Sequence, residues 1–198
     1  MKKLLLLVGI TTTLCTINAN AMDLTPYVGA KLRYSMMDNS VDFDGIKLDI
    51  DDEVFGGSVS TGVAYKIWGN AVRAELEYNK NTDAKKTHYD AIDLKVKTQS
   101  LMLNGYFDIN TNTKFTPYIG AGIGYTKLEG EVEVLGTKES EDKNTFSWQL
   151  GVGVGYSINE HISIDLGYRY VDYGDWTRDN VKLESDANEI YISARYMF

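Results

Sequence analysis

Phe146-Ser147-Trp148-Gln149-Leu150-Gly151-Val152-Gly153-Val154-Gly155-Tyr156 is the stretch that decides the fold class. Every second residue is bulky and apolar, and those between are Ser, Gln and three Gly. Successive side chains of a strand point to opposite faces, so this segment reads as a strand with one bulky apolar face and one small polar face. A helix would scatter the glycines round its surface at a cost of about 1 kcal/mol each relative to Ala. The same alternation recurs at 26–35, 55–65, 72–78, 115–125, 162–170 and 189–198, which makes seven clear strands. An eighth, near 93–107, is less regular. Leu101, Leu103 and Phe107 share one face, while Leu94, Val96, Met102 and Tyr106 share the other. That mixture predicts a bulge, or a strand that runs on beyond the layer the others cross.

The connections alternate in length. Short turns are expected at 66–70, 108–113 and 157–161, and long polar loops at 36–54, 80–92, 127–144 and 172–187. Short turns at one end and long loops at the other are the plan of a barrel that crosses a bacterial outer membrane. The pattern predicts an all-β chain, an eight-stranded antiparallel transmembrane up-and-down β-barrel. A barrel that meets lipid should be apolar outside. The bulky face fits that role, with Tyr34, Tyr65, Tyr78, Tyr125, Phe146, Tyr156, Tyr168 and Phe198 at its ends as aromatic girdles. The small face fits a crowded interior. No Lys, Arg, Asp or Glu falls on the lipid face of the seven clear strands. The lumen instead collects Lys31, Arg33, Arg73, Arg169 and Arg195 against Glu75, Glu77, Asp165 and Glu189. Charges withdrawn from water need partners, so these nine are expected to form a paired network that fills the barrel; the alternative is a polar pore. On this assignment Val152→Arg should impair insertion more than Gly153→Ser.

The N-terminus reads as an address. Lys2 and Lys3 precede the apolar run Leu4-Leu5-Leu6-Leu7-Val8-Gly9-Ile10, and Ala19-Asn20-Ala21 supplies a small-residue cleavage site. Residues 1–21 are expected to be a cleaved secretory signal and 22–198 the barrel domain. Cys15, the single cysteine, falls inside the signal and follows Leu14, which does not suit lipid attachment. The expected mature chain therefore has no disulfide or thiol chemistry. The 198 residues carry a net charge of −8, which argues against a nucleic-acid partner.

The ending Tyr196-Met197-Phe198, in register with Ile190, Ile192 and Ala194, resembles the C-terminal signal strand of outer-membrane β-barrels. That resemblance implies that the barrel assembly machinery reads Tyr196 and Phe198. The segments Pro117-Tyr118-Ile119-Gly120-Ala121-Gly122-Ile123-Gly124-Tyr125 and Leu166-Gly167-Tyr168-Arg169-Tyr170 are similar to small eight-stranded proteins of the opacity-protein and OmpA-like barrel group, which is porin-like in architecture. The group implies a location in the bacterial outer membrane, contact with its lipid and lipopolysaccharide, a monomer, and loops that present a host or matrix recognition surface. It also implies that the chain, ending at Phe198, lacks the peptidoglycan-binding domain that OmpA carries.

Candidate chemistry is sparse. His161-Ile162-Ser163 resembles the His-x-Ser motif of lipid A deacylases, but its turn is on the inner side, away from outer-leaflet lipid A. His88 stands beside Tyr89 and Asp90 in a long loop and reads as solvated. Asp38, Asp42, Asp44, Asp49, Asp51, Asp52 and Glu53 face only Lys47 in the first loop. Such a loop offers oxygen ligands to a hard cation, but no complete ligand spacing follows. No catalytic, metal or cofactor site is expected. The expected function is a non-enzymatic surface anchor presenting loops for adhesion or recognition; the alternatives are a small porin and a lipid-modifying enzyme.

Overall fold

The computed structural model describes residues 24–43, 46–81, 84–87, 92–134, 137–178 and 181–198, with side chains at 24–38, 53–81, 98–127, 144–174 and 185–198. The expected signal, 1–21, lies outside the described residues. The strands are β1 (Leu24–Phe43), β2 (Ile46–Ile67), β3 (Asn70–Asn81), β4 (Ala84–Thr87), β5 (Ile92–Asp108), β6 (Phe115–Val134), β7 (Thr137–Ser157), β8 (Ile162–Arg178) and β9 (Val181–Met197). They pair antiparallel in the order β3-β2-β1-β9-β8-β7-β6-β5-β4, and a β3–β5 pairing closes the circle. Eight strands thus form the closed barrel. The four-residue β4 is a ninth segment that only flanks β5, above the end of β3.

The faces follow from the solvent each must meet. Leu32, Leu103, Ile119, Leu150, Val152, Leu166 and Ile192 point outward and are all more than half exposed. Removing that much apolar surface from water requires lipid. Two aromatic girdles bound the band. Phe115 pairs with Tyr156 at the inner level, and Tyr125 with Phe146 at the outer level. Ten residues separate Phe115 from Tyr125 along β6. At about 3.3 Å per residue and a tilt near 40°, that separation is about 25 Å, the height of an outer-membrane apolar band.

Three expectations change in detail. The strand at 93–107 has no bulge but does run on beyond the layer: β5 pairs continuously with β6 from Ile92↔Val134, well outside the girdle level at Leu101↔Tyr125, to Asp108↔Tyr118. Leu101, Leu103 and Phe107 face lipid, while Met102 and Asn104 are buried in the lumen. The irregularity lies instead in β8, between Asp172 and Asp175. Second, most of the long loops are strand. The β1–β2 ladder runs out to Phe43↔Ile46 and the β6–β7 ladder to Val134↔Thr137. Once a hairpin has left lipid, its backbone ladder persists, although the polarity that marked the strand in sequence is gone. Third, Gly153 is not a roomy lumen position. A Cβ there would lie 2.5 Å from the Tyr118 ring and 2.7 Å from the Leu166 carbonyl, so Gly153→Ser carries a packing cost of its own.

The inner turns are tight as expected. Trp68 and Gly69 link β2 to β3 with φ of 47° and 82°. Both values are positive, as in the two-residue turns whose twist matches a hairpin.

Candidate functional site

The candidate site is the lumen, and the strand alternation builds it. Each of the nine charges named from sequence points inward and is at least 94% buried. They sit in three tiers. In the inner tier Arg195 grips Asp165 through two hydrogen bonds of 2.7 Å, and Arg73 grips Asp108 at 2.7 and 2.8 Å. In the middle tier Lys31 Nζ lies 2.9 Å from both Glu75 and Glu77. Glu77 also accepts from Ser58, Asn104 and Arg169. In the outer tier Glu189 accepts from Arg33 at 2.9 Å, Arg169 at 2.6 Å, Ser35 at 2.7 Å and Tyr173 at 3.1 Å.

Asp108 is the acid that sequence reasoning missed. It was assigned to a turn, but it continues the inward series Met102, Asn104, Tyr106 of β5. With it the described lumen holds five bases and five acids. The other omission is aromatic. Tyr27, Tyr106, Tyr118, Tyr173 and Tyr191 fill the space between the tiers. Tyr27 donates to Glu75 at 3.0 Å, the Tyr118 and Tyr191 hydroxyls meet at 3.0 Å, and the Arg73 guanidinium lies 4.3 Å from the Tyr106 ring centroid. A stacked cation is attracted by the ring face, so the tyrosines solvate the guanidinium groups where water cannot. Their rings fit because glycines stand opposite: a Cβ at Gly62 would come 2.6 Å from the Tyr27 ring.

Above the outer tier, Met37, Val54, Val171, Tyr173 and Ala187 form a buried apolar layer. Between the tiers, the gap bordered by Tyr106, Gln149, Arg169 and Tyr191 is about 10 Å³, no more than a single water occupies. A concavity of about 780 Å³ lies outside, in a furrow of the lipid-facing wall between Val72, Phe107, Ile119 and Leu150.

His161 and Ser163 are not brought together for catalysis. Ser163 is buried in the wall, whereas His161 is exposed at the turn, its Nδ1 3.0 Å from the Met197 carbonyl and its ring stacked on Tyr196. Tyr196 and Phe198 both point outward and pack edge to face, 5.3 Å apart. The Phe198 N–H donates to the Pro26 carbonyl at 3.0 Å, which ties the last residue to β1. His88 lies outside the described residues, as do the side chains of the first loop at Asp42, Asp44, Asp49, Asp51 and Asp52. Among the described residues no three His, Cys, Asp or Glu side chains gather as they would around a metal ion.

Residues 6–198 match the model of the outer membrane protein beta-barrel domain family. The chain belongs to that family. As an outer-membrane β-barrel protein it is similar to outer membrane protein PagN of Salmonella typhimurium, with 36% identity over 139 residues, 61% of this chain and 58% of PagN. The chain thus matches less than two thirds of that relative's length. A candidate adhesin of Rickettsia prowazekii is 25% identical over 199 residues, covering 91% of this chain and 88% of that protein. Among solved structures, Neisserial surface protein A superimposes with a TM-score of 0.60 at 19% identity, over 87% of this chain and 97% of that one. The attachment invasion locus protein of Yersinia pestis, solved with the heparin analogue sucrose octasulfate, gives 0.54 at 18% identity, over 87% and 99%. At these identities the two structures share the fold with this outer-membrane β-barrel protein.

Proposed function

We propose that this outer-membrane β-barrel protein is a non-enzymatic surface adhesin, whose barrel is an anchor and whose outer hairpins contact a host cell or matrix. One observation carries the reading: strands of 17–22 residues rise from a barrel whose interior is filled. About 9–11 residues suffice to cross the membrane, so nearly half of each long strand stands outside it. Structure extended that far from the bilayer has no part in holding the barrel in lipid, and exposed connections on a rigid scaffold are where recognition resides. The likeness to a candidate adhesin of similar length supports the same role. Cells displaying the protein should bind cultured mammalian cells or matrix proteins. Shortening the β1–β2 and β6–β7 hairpins down to the girdle should abolish binding while surface levels hold. Binding that survives both deletions would defeat the reading.

The filled lumen also predicts electrical behaviour. The refolded barrel should be silent in a planar bilayer, because ion pairs, tyrosine rings and the apolar layer fill the described lumen. Steady conductance steps that change when Arg33 or Glu75 is neutralised would favour a porin instead. The closed wall leaves no free edge within the membrane, which supports a monomer.

For export, we propose that residues 1–21 are removed as a secretory signal and that the assembly machinery reads Tyr196 and Phe198. Outer-membrane fractions should contain a chain beginning at Met22 by intact mass, and Phe198→Ala should lower its amount there. An intact mass that includes the first 21 residues would exclude the cleavage.

A further inference from the structure

We propose that the seam between β7 and β8, outside the membrane, takes up an extended basic segment of a partner protein as an added β-strand. This rests on the recognition role above and specifies the partner's chemistry and mode of binding. Within the membrane β7 and β8 pair from Ser157↔Ser163 to Trp148↔Asp172. Beyond that point both strands continue, but not on each other. β7 runs eleven residues further, to Thr137, paired with β6. β8 runs to Arg178, paired with β9 as far as Arg178↔Val181. Among the described residues no pairing joins β7 to β8 there. A second gap opens on the other side, where β3 ends at Gly56↔Asn81 while β2 continues on β1 alone. The wall above the membrane thus divides into two four-stranded sheets, β2-β1-β9-β8 and β4-β5-β6-β7.

The cause of the β7–β8 opening is local. The β8 bulge falls between Asp172 and Asp175, and bulges end pairing and re-aim a strand. Gly174 has φ of 81°, and its N–H donates to the Asp172 carboxylate at 2.7 Å rather than to a neighbouring strand. Its backbone lies so close to Phe146 that a Cβ would come 2.5 Å from that carbonyl. Past this contact, residues 137–145 of β7 present about 30 Å of strand edge at about 3.3 Å per residue. A free edge of N–H and C=O groups is a template for another strand, which supplies affinity through the main chain.

Charge selects the occupant. The segments around the seam, 127–134, 137–147, 172–178 and 181–187, carry ten acidic against five basic residues. A polyanion is repelled there and a basic segment is steered in. The other gap is less available. Residues 46–55 of β2 carry four carboxylates and Lys47, while β4 carries Lys85 and Lys86, so the charges flanking that gap are mixed in sign and select a basic strand less strongly. Both strands flanking the β7–β8 seam are net acidic.

The test uses the refolded barrel in lipid nanodiscs and fluorescent peptides of about ten residues. The probes are an alternating Lys–Val peptide, the same peptide N-methylated at alternate residues, and an alternating Glu–Val peptide. The Lys–Val peptide should bind, and N-methylation should weaken it by at least about tenfold, because it removes main-chain donors and keeps the charge. The Glu–Val peptide should not bind. Combining Glu139→Lys, Glu141→Lys and Asp142→Lys should weaken the Lys–Val peptide to a similar degree, with folding confirmed by the heat-dependent gel shift. Equal affinity for the N-methylated peptide, undiminished binding by the triple variant, or no peptide binding would each overturn the proposal. If the triple variant loses the peptide but still adheres to cells, the seam adds strands but is not the adhesive surface: its assignment to the recognition partner falls and the adhesin reading stands. If peptides add as strands while displaying cells never adhere, the seam stands and the adhesin reading falls.

Discussion

Glu77→Gln should lower the stability of the folded barrel by about 3–5 kcal/mol, the cost of breaking a buried ion pair from one side. Glu77 is fully buried and serves two cations from distant strands, Lys31 of β1 at 2.9 Å and Arg169 of β8 at 3.3 Å. Each keeps a second acid, Glu75 for Lys31 and Glu189 for Arg169. The damage is therefore an uncompensated positive charge in a closed space, not two wholly bare cations. Urea titration of the refolded protein in lipid vesicles measures the change. Adding Lys31→Met to Glu77→Gln should recover part of the loss, because it restores the balance of charge and the two sites are coupled. A loss below about 1 kcal/mol for Glu77→Gln would mean that water already reaches the middle tier and relieves the burial.

Val152→Arg should cost about 2–4 kcal/mol and reduce the inserted fraction, because the side chain lies on the lipid face between the two girdles. Val152 pairs with Ile119 on one side and Tyr168 on the other, and it is 53% exposed. An arginine there has no protein partner at that depth and must bend toward a headgroup. Val152→Leu, which keeps the surface apolar, should stay within about 1.5 kcal/mol. Heat-dependent mobility on gels and the yield of protease-protected barrel report both. Tolerance of the arginine with damage from the leucine would place the apolar face inside.

Seven strands were legible because in each of them lipid and lumen ask for opposite residues at alternate positions. β5 was not, because its inward positions also hold large side chains. Met102 and Tyr106 are accommodated by Gly124 and Gly120 of the neighbouring strand, and which strand lies beside which is not written in β5 itself. Alternation puts Tyr27, Tyr118 and Tyr191 on the lumen face but does not show that they fill it; they fit inside only because Gly62, Gly153 and Gly167 stand across from them. The sign and place of the nine lumen charges could be read from alternation alone. Their pairing could not, because Arg33 and Glu189 are 156 residues apart. Asp108 escapes because the short turn reads as starting at it, although it continues the inward series of β5. The outer hairpins were lost because, outside lipid, nothing forces the residues of a strand to alternate.

The lumen network also bears on the order of events during folding. Arg33 reaches Glu189 across the β1–β9 junction, and Lys31 and Arg169 meet at Glu77 on β3. None of these partners is supplied by a single hairpin, so every partly built wall holds unpaired charges in its concave side and must keep them hydrated. Water leaves the interior only when the first and last strands join. The rate of assembly should therefore be governed by a late, concerted dehydration, and little by the formation of individual hairpins.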